Sequence, residues 1–267
     1  MSGRVSIIMS VYNAEDYLHE CLDSILIQKY KNIEVVIIND GCKDSSGEII
    51  EQFIERCEGA IKVVYEEQEN QGLTKSLNRA IVLSTGDYIA RCDADDILEP
   101  NRIHDSLQYL ENEDLDFLTT QAYIFESHKE EKKIIGVFPK VSIKDKYWFD
   151  VDFLTLGNPH IHGTFFGKRS VFLKHSYNEV FKKAQDYDFL LRISIDKSIR
   201  KGLLKEPLYW LRKNIASSGR SDTSTQITTC VESLNALSLT SNYLIPAAGP
   251  IKKFFLRMYK YVRFGVI

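Results

Sequence analysis

The sequence predicts an α/β protein with a mostly parallel central sheet, helices on both of its faces and a helical tail. Two observations predict it. Through the first hundred residues, apolar runs of strand length alternate with segments whose apolar residues recur at helical spacing, the signature of strand–helix–strand units. The apolar runs also end in polar side chains, Tyr12-Asn13, Asp40 and Asp93 to Asp96, and open sheets of this kind bind ligands beyond the carboxyl ends of their strands. A chain of 267 residues, 44% of them hydrophobic, can bury a core of the required size.

Val5 to Val11 is the first strand, an apolar run suited to being covered on both faces. Asn13 is placed to cap the next helix, whose Tyr17, Leu18, Cys21, Leu22, Ile25 and Leu26 share one face. Ile33 to Asn39 forms the second strand, closed by Asp40-Gly41. Ser45 or Ser46 then caps a helix that turns Ile49, Ile50, Phe53, Ile54 and Cys57 inward. Ile61 to Tyr65 is a third strand, Asn70-Gln71-Gly72 a turn, and Leu77, Ala80, Ile81 and Leu83 the buried face of a third helix. The fourth strand, Tyr88 to Cys92, delivers the most informative stretch, in which Asp93, Asp95 and Asp96 crowd together. Adjacent carboxylates repel unless a positive charge sits among them, and Asp93 and Asp95, separated by small Ala94, are spaced to share a divalent cation with a phosphate ligand. The alternative is a solvated acidic turn capping the helix that begins near Pro100.

Taken in order, Ser6-Ile-Ile-Met-Ser-Val-Tyr-Asn13, Val36-Ile-Ile-Asn-Asp-Gly-Cys-Lys-Asp-Ser45, Asn70-Gln-Gly72 and Asp93-Ala-Asp95-Asp96 resemble the motifs of family 2 glycosyltransferases, which have the GT-A nucleotide-sugar-binding fold. The resemblance implies that Tyr12 and Asp40 hold a uridine base, Asp93 the ribose or sugar side, and Asp95 a metal, Mn2+ or Mg2+, bridging the diphosphate. It also places Asn70, Gly72 and Lys75 near the donor. One departure is Ser10, where many members have proline.

Beyond Pro100, Ile103, Leu107 and Leu110 mark a helix, and Leu115 to Tyr123 and Ile134 to Phe138 read as strands separated by a charged, solvated loop, Ser127 to Lys133. Asn158-Pro-His160-Ile-His162-Gly163 leads into Thr164 to Gly167. A His-x-His pair can chelate metal on a strand, but no third ligand lies near in sequence, so two histidines with satisfied hydrogen bonds are expected. In the family this segment tends to face the acceptor, which makes His162 a candidate acceptor contact.

Asp186 falls where another helix should begin, with Phe189, Leu190 and Ile193 on its buried face, so an N-cap or first-turn role is open to it. The surrounding Gln185-Asp-Tyr-Asp-Phe-Leu-Leu-Arg192 resembles the family's Glu-Asp-Tyr-Asp-Leu-Trp-Leu-Arg motif, which implies that Asp186 is the general base; Gln185 replaces the first acid. An unperturbed aspartate, with a pKa of ~3.9, is a weak base, so a partly dry pocket is expected around it. Leu211 to Ser217 resembles a loop that closes over the donor diphosphate. Arg212 and Lys213 suit phosphate there, and Asn214 stands where members often carry histidine.

The net charge of -3 argues against a nucleic-acid surface. Five scattered cysteines without CxxC spacing argue against a disulfide framework or zinc knuckle and suggest a reducing compartment. No signal core and no apolar stretch of about 18 residues are present, so a cytoplasmic protein is expected. After Pro250, residues 251–267 carry five cations among aromatic and aliphatic residues, which suits either an anionic membrane at the inner face of the cell membrane or packing on protein. The expected organisation is a GT-A domain over 1–220, with a nucleotide-binding half 1–100 and an acceptor-binding half 101–220, and a helical extension 221–267.

By the resemblance, the expected activity is metal-dependent, inverting transfer of a sugar from a nucleoside diphosphate sugar, a uridine diphosphate sugar above others, to a saccharide acceptor, lipid-linked in surface polysaccharide assembly. Two rivals are a sugar nucleotidyltransferase, which should open with a Gly-rich, Arg-containing phosphate loop, and a non-catalytic nucleotide-binding scaffold, which would not need Asp186.

Overall fold

The fold is described from a computed structural model covering residues 3–128, 131–140, 148–154, 157–213 and 223–236. Strand β1 (Val5–Val11), helix α1 (Glu15–Leu26), β2 (Ile33–Asn39), α2 (Ser46–Cys57), β3 (Lys62–Glu67), α3 (Leu73–Leu83) and β4 (Tyr88–Arg91) follow one another in the alternating order the periodicity predicts. Then come β5 (Ile97–Leu98), α4 (Arg102–Asn112), β6 (Phe117–His128), β7 (Glu131–Phe138), α5 (Val151–Leu154), a 3-10 turn (His162–Thr164), β8 (Phe166–Lys168), α6 (Arg169–Lys174), α7 (Gln185–Ile195), β9 (Lys201–Arg212) and α8 (Thr223–Ala236).

Among the described residues nine strands form one sheet in the order β3-β2-β1-β4-β8-β6-β9-β5, with β7 paired to β6. The half containing β3, β2, β1 and β4 is parallel. Antiparallel pairing begins where β8 joins β4, and the second half is mixed. Because β2, β1 and β4 are parallel neighbours, the residues after them share one edge of the sheet, the edge on which a ligand crevice forms.

Side-chain alternation divides the core. Val5, Ile7 and Met9 of β1 pack with Leu18 and Leu22 of α1, Ile50 and Phe53 of α2, and Ile103 and Leu107 of α4. Ile8 points the other way, onto Leu77 and Ile81 of α3 and Phe189 and Leu190 of α7. Helices thus cover both faces, and strands this apolar survive because neither face meets water. Helix α8 adds to the second layer: Cys230 joins Tyr187 and Leu191, and the Ser233 hydroxyl donates to Asp188 Oδ1 at 2.7 Å.

Two local expectations are corrected. Neither Asn13 nor Ser45 caps its helix by its side chain. The two helix starts cap each other instead. Glu15 N donates to Asp44 Oδ2 at 3.0 Å, Ser45 N to Glu15 Oε2 at 2.9 Å, and Ala14 N to Ser46 Oγ at 2.9 Å. Asn13, in a left-handed conformation, accepts from Lys43 N at 2.8 Å. Acidic side chains at helix N-termini satisfy otherwise orphaned N–H groups, and this reciprocal arrangement ties the loop after β1 to the loop after β2. The second correction concerns Ser127 to Lys133. Ser127 and His128 finish β6, and Glu131, Lys132 and Lys133 open β7, with these last three exposed. Charged side chains on such a strand tolerate solvent and discourage pairing with another chain, so charge here marks a hairpin rather than a loop.

Candidate active site

Where the first two strands end, a cleft of about 510 Å³ is lined by Tyr12, Gly41, Lys43, Glu67, Gln68, Glu69 and Asn70. Tyr12 is 52% exposed, an aromatic face offered to solvent rather than to the core. Asp40 lies beneath the cleft, 1% exposed, and organises it. Its Oδ1 accepts from Gln68 Nε2 at 2.7 Å and Gln71 N at 2.8 Å, and its Oδ2 from Gly72 N at 2.9 Å. The carboxylate therefore sits at the N-terminus of α3, where backbone N–H groups and the helix dipole favour negative charge. Asp40, which the resemblance places on the base, has its oxygens engaged by the 68–72 turn and lies next to the residues that line the cleft. Gly41 has φ +76°, and a Cβ there would come within 2.9 Å of Asn70 N, so this turn excludes larger residues on two grounds. Gly72, at φ +89°, leads into α3, and Lys75 is exposed on that helix's first turn.

The acidic loop follows β4 on the same edge. Asp93 is half-buried and ion-paired to Arg91, whose side chain is 1% exposed. Asp95 is half-buried as well. Asp96 turns away into the core, where its Oδ2 accepts from the Tyr209 hydroxyl at 2.7 Å and its Oδ1 from Arg212 N at 2.7 Å. Burial, and then the neighbouring Asp95 charge, push its pKa up to about 7. The three carboxylates are thus divided, two at the rim and one serving as an anchor.

Arg212, which the sequence offers as a phosphate partner, is held by internal contacts. It is 5% exposed, with its guanidinium 4.7 Å from the Tyr17 ring and 4.6 Å from the Phe125 ring. Its Nε donates to the Asp95 carbonyl at 2.7 Å, and its terminal nitrogens bind Glu20 and Ser127. These internal bonds hold the acidic loop and leave no exposed fork for a phosphate; the nearby Lys213 is paired with Glu126 at 2.7 Å. Asn214 lies outside the described residues, as do residues 251–267.

Across Arg91 stands Asp186, in the first turn of α7. The helix is preceded by Ala184 at φ +57°, a left-handed conformation that costs an alanine about 1 kcal/mol, and Asp186 is not the N-cap. Its Oδ2 accepts from Asn158 Nδ2 at 2.6 Å. Burial raises its pKa above the ordinary aspartate value, against the opposing pull of the Tyr187 backbone N–H, Arg91 and Asn158. The partly dry surroundings expected for a base are therefore present.

Neither histidine of the His-x-His pair has the geometry of a metal ligand. His160 is buried, with Nδ1 2.8 Å from Thr119 Oγ1 and Nε2 2.9 Å from the Trp148 carbonyl, and burial lowers its pKa to about 4. His162 is half-buried, with Nε2 2.8 Å from the Tyr177 hydroxyl, and burial followed by the Arg91 charge holds its pKa well below the usual range. Arg91 thus acts on Asp93, Asp186, His162 and Tyr177 together, and it is the residue that joins the end of β4 to the start of α7.

Three members of this arrangement were not singled out from the sequence. Arg91 reads as a strand residue, Asn158 as part of a loop, and Gln68 as a polar position before a turn. An arginine inside an otherwise apolar strand next to an acidic cluster was a usable signal. Nothing in the local pattern pointed to Asn158 or Gln68. Among the described residues no three His, Cys, Asp or Glu side chains form a closed metal cage. The rim carboxylates of Asp95 and Asp93 suit a hard cation that takes its remaining oxygens from a bound diphosphate and water.

The profile of the family described as "Glycosyl transferase family 2" matches residues 6–176. EpsE of Bacillus subtilis (strain 168), a protein assigned to the glycosyltransferases, is 31% identical over 217 residues, 79% of this chain and 73% of its own length. Eight curated relatives are spanned over 14% to 73% of their length, all but EpsE over less than two thirds. Among solved structures, S. aureus TarS residues 1–349 in complex with UDP-GlcNAc superposes with a TM-score of 0.64 at 16% identity, covering 98% of this chain and 73% of that one. The mannosyltransferase PcManGT of Pyrobaculum calidifontis, in complex with GDP-Man and Mn2+, gives 0.60 at 15% identity over 98% and 85%. These two likenesses concern the fold, a mixed α/β sheet of the GT-A type.

Proposed function

The chain is a member of glycosyl transferase family 2, and we propose that it transfers a sugar from a nucleoside diphosphate sugar to a hydroxyl of a saccharide acceptor, inverting the anomeric carbon. The observation that carries this reading is Asp186, a carboxylate with a raised pKa, set across Arg91 from the acidic rim at the end of β4. In this reading Tyr12 stacks on the base in the 510 Å³ cleft, with Asn70 and Lys43 at its edge. Gly72 and Lys75, at the start of α3, face the diphosphate, with the exposed Lys75 ammonium supplying the positive charge. Asp93, steadied by Arg91, meets the ribose or sugar side. Asp95 holds a divalent cation, Mn2+ or Mg2+, which when bound offsets charge on the departing diphosphate as a Lewis acid. Asp186 removes the proton from the acceptor hydroxyl on the opposite side of the anomeric carbon. One base and no enzyme nucleophile give a single displacement, hence inversion. His162, with Nε2 taken by Tyr177, keeps Nδ1 as its remaining polar atom for an acceptor hydroxyl.

A uridine diphosphate sugar is our choice of donor, supported by the likeness to a structure that holds UDP-GlcNAc. A lipid-linked acceptor in surface polysaccharide assembly, met from the cytoplasmic side, is supported by the basic amphipathic sequence of residues 251–267. No helix among the described residues is long and apolar enough to cross a membrane. We assign residues 1–220 to the catalytic domain, with its donor half at 1–100 and acceptor half at 101–220, and residues 221–267 to an extension.

The test is a panel of nucleotide sugars and saccharide acceptors assayed with Mn2+, with Mg2+ and with a chelator, the product anomer being read by NMR. Metal-dependent formation of an inverted glycoside from a uridine diphosphate sugar is the expected result. A retained configuration, or full transfer in chelator, would overturn the stereochemical or the metal assignment respectively. Nucleotide binding without transfer across the panel would favour a scaffold.

A further inference from the structure

We propose that Asn158 is a positioning residue for the base, fixing the Asp186 carboxylate through Oδ2 so that Oδ1 is presented to the acceptor hydroxyl. The proposal rests on the reading of Asp186 as the base. Asn158 is buried, and both ends of its amide are committed. Its Nδ2 donates to Asp186 Oδ2 at 2.6 Å, and its Oδ1 accepts from His160 N at 2.8 Å. The second bond determines which end of the amide faces Asp186: with the oxygen held by a backbone N–H, the donor must point at the carboxylate. His160 is in turn held between Thr119 and the Trp148 carbonyl, so the amide is oriented by a chain of buried hydrogen bonds reaching into β6. The helix start, through the Tyr187 backbone N–H that acts on the carboxylate, leaves Asp186 part of its side-chain torsional freedom. A short bond from a fixed amide removes that freedom and reserves one oxygen for the reaction.

The bond has an electrical consequence as well. A donor to the ionised form stabilises it, so Asn158 opposes the burial that raises the Asp186 pKa. The other titratable or charged groups acting on Asp186 are Arg91 from β4, Tyr177 from the segment before α7, and Tyr187 on α7 itself. Arg91 favours the carboxylate; the two tyrosines carry protons far above neutral pH and do not titrate with it. Removing the amide therefore shifts the base in one direction, upward.

Asn158→Asp is the informative variant, because it keeps the shape and the acceptor for His160 N while replacing the donor by a second carboxylate. The acid limb of the kcat profile should move to higher pH by about one unit or more, since like charges in one site raise a pKa. Asn158→Ala should move it less, and kcat at the optimum should fall about tenfold, with the donor KM within about twofold, as expected when only the orientation of a base is lost. Asn158→Ser, which can still donate, should recover part of the kcat. Far-UV circular dichroism and donor binding establish that each variant is folded. Acid limbs unmoved in folded Asn158→Asp and Asn158→Ala enzymes would overturn the proposal. Asp186→Asn, run alongside, separates the two claims. If it is inactive while the Asn158 variants show no shift, the base stands and the positioning role fails. If it turns over normally, the reading of Asp186 fails first.

Discussion

The two walls of the crevice are built by different means. On the donor side, side chains hold backbone: Asp40 takes the N–H groups of Gln71 and Gly72, Asn13 that of Lys43, Glu15 that of Ser45, and Asp44 that of Glu15. On the acceptor side, side chains hold one another: Asn158 with Asp186, His162 with Tyr177, His160 with Thr119, and Arg192 with Asp188, and the Arg91–Asp93 pair joins this wall to the donor half. Backbone donors do not titrate, and a carboxylate that accepts from them is favoured in its ionised form, so the first wall changes shape little around neutral pH. The second is a network of ionisable groups in which moving one proton alters several neighbours. The difference suits the division of labour we propose, a fixed seat for the donor and a tunable seat for proton transfer.

That contrast can be broken most severely at Asp40. Asp40→Ala removes a buried carboxylate and strands three part-buried donors, for a destabilisation of about 4 kcal/mol with loss of nucleotide binding, measurable by urea unfolding and calorimetry. A stable variant with normal donor affinity would show that the wall does not depend on its carboxylate. Next in size is a pH effect confined to the acceptor side. His160 has a folded pKa of about 4 against an unfolded value of ~6.5, so between those pH values the unfolded chain binds the extra proton and stability rises with pH. About 3 kcal/mol should be lost on acidification from pH 6.5 to 4, and His160→Gln should flatten that part of the profile. An unchanged slope would assign the acid sensitivity elsewhere.

Arg91→Met is expected to cost about 2 kcal/mol, since it strips the partner from Asp93, and to move the acid limb of transfer upward because the cation no longer favours ionised Asp186. A limb that stays in place would disconnect the two halves. The smallest effect should come from Arg212→Lys, about 1 kcal/mol of stability through lost stacking and lost hydrogen bonds, with the diphosphate affinity of the folded protein nearly unchanged. A large loss of diphosphate affinity in a stable variant would restore Arg212 as a phosphate ligand.

The same contrast explains what the sequence made legible. Apolar alternation in Val5 to Val11 and Ile33 to Asn39 and the helical spacing of Leu18, Leu22 and Ile25 state their packing locally, and the parallel half follows from them. Tyr12, Gly41 and Asn70 could be placed because they terminate those elements. Arg212 is harder to place, because a cation beside an acidic loop looks the same in sequence whether it meets phosphate or Glu20. Asn158 was invisible for a related reason: its meaning depends on Asp186, 28 residues away, and on an amide orientation set by His160. The helix caps failed more instructively. Asn13 and Ser45 have the right chemistry in the right places, and tertiary partners, Lys43 and Glu15, outcompeted the local bond.

The account depends on a base that acts on the acceptor while the donor seat stands independently of it. Asp186→Asn tests this directly, by measuring nucleotide-sugar affinity calorimetrically and transfer under saturating donor in the same preparation. We predict donor affinity within about twofold of the parent and a kcat about a thousandfold lower, the scale of a lost general base. Transfer at the parent rate, or a donor affinity that collapses with it, would contradict the account.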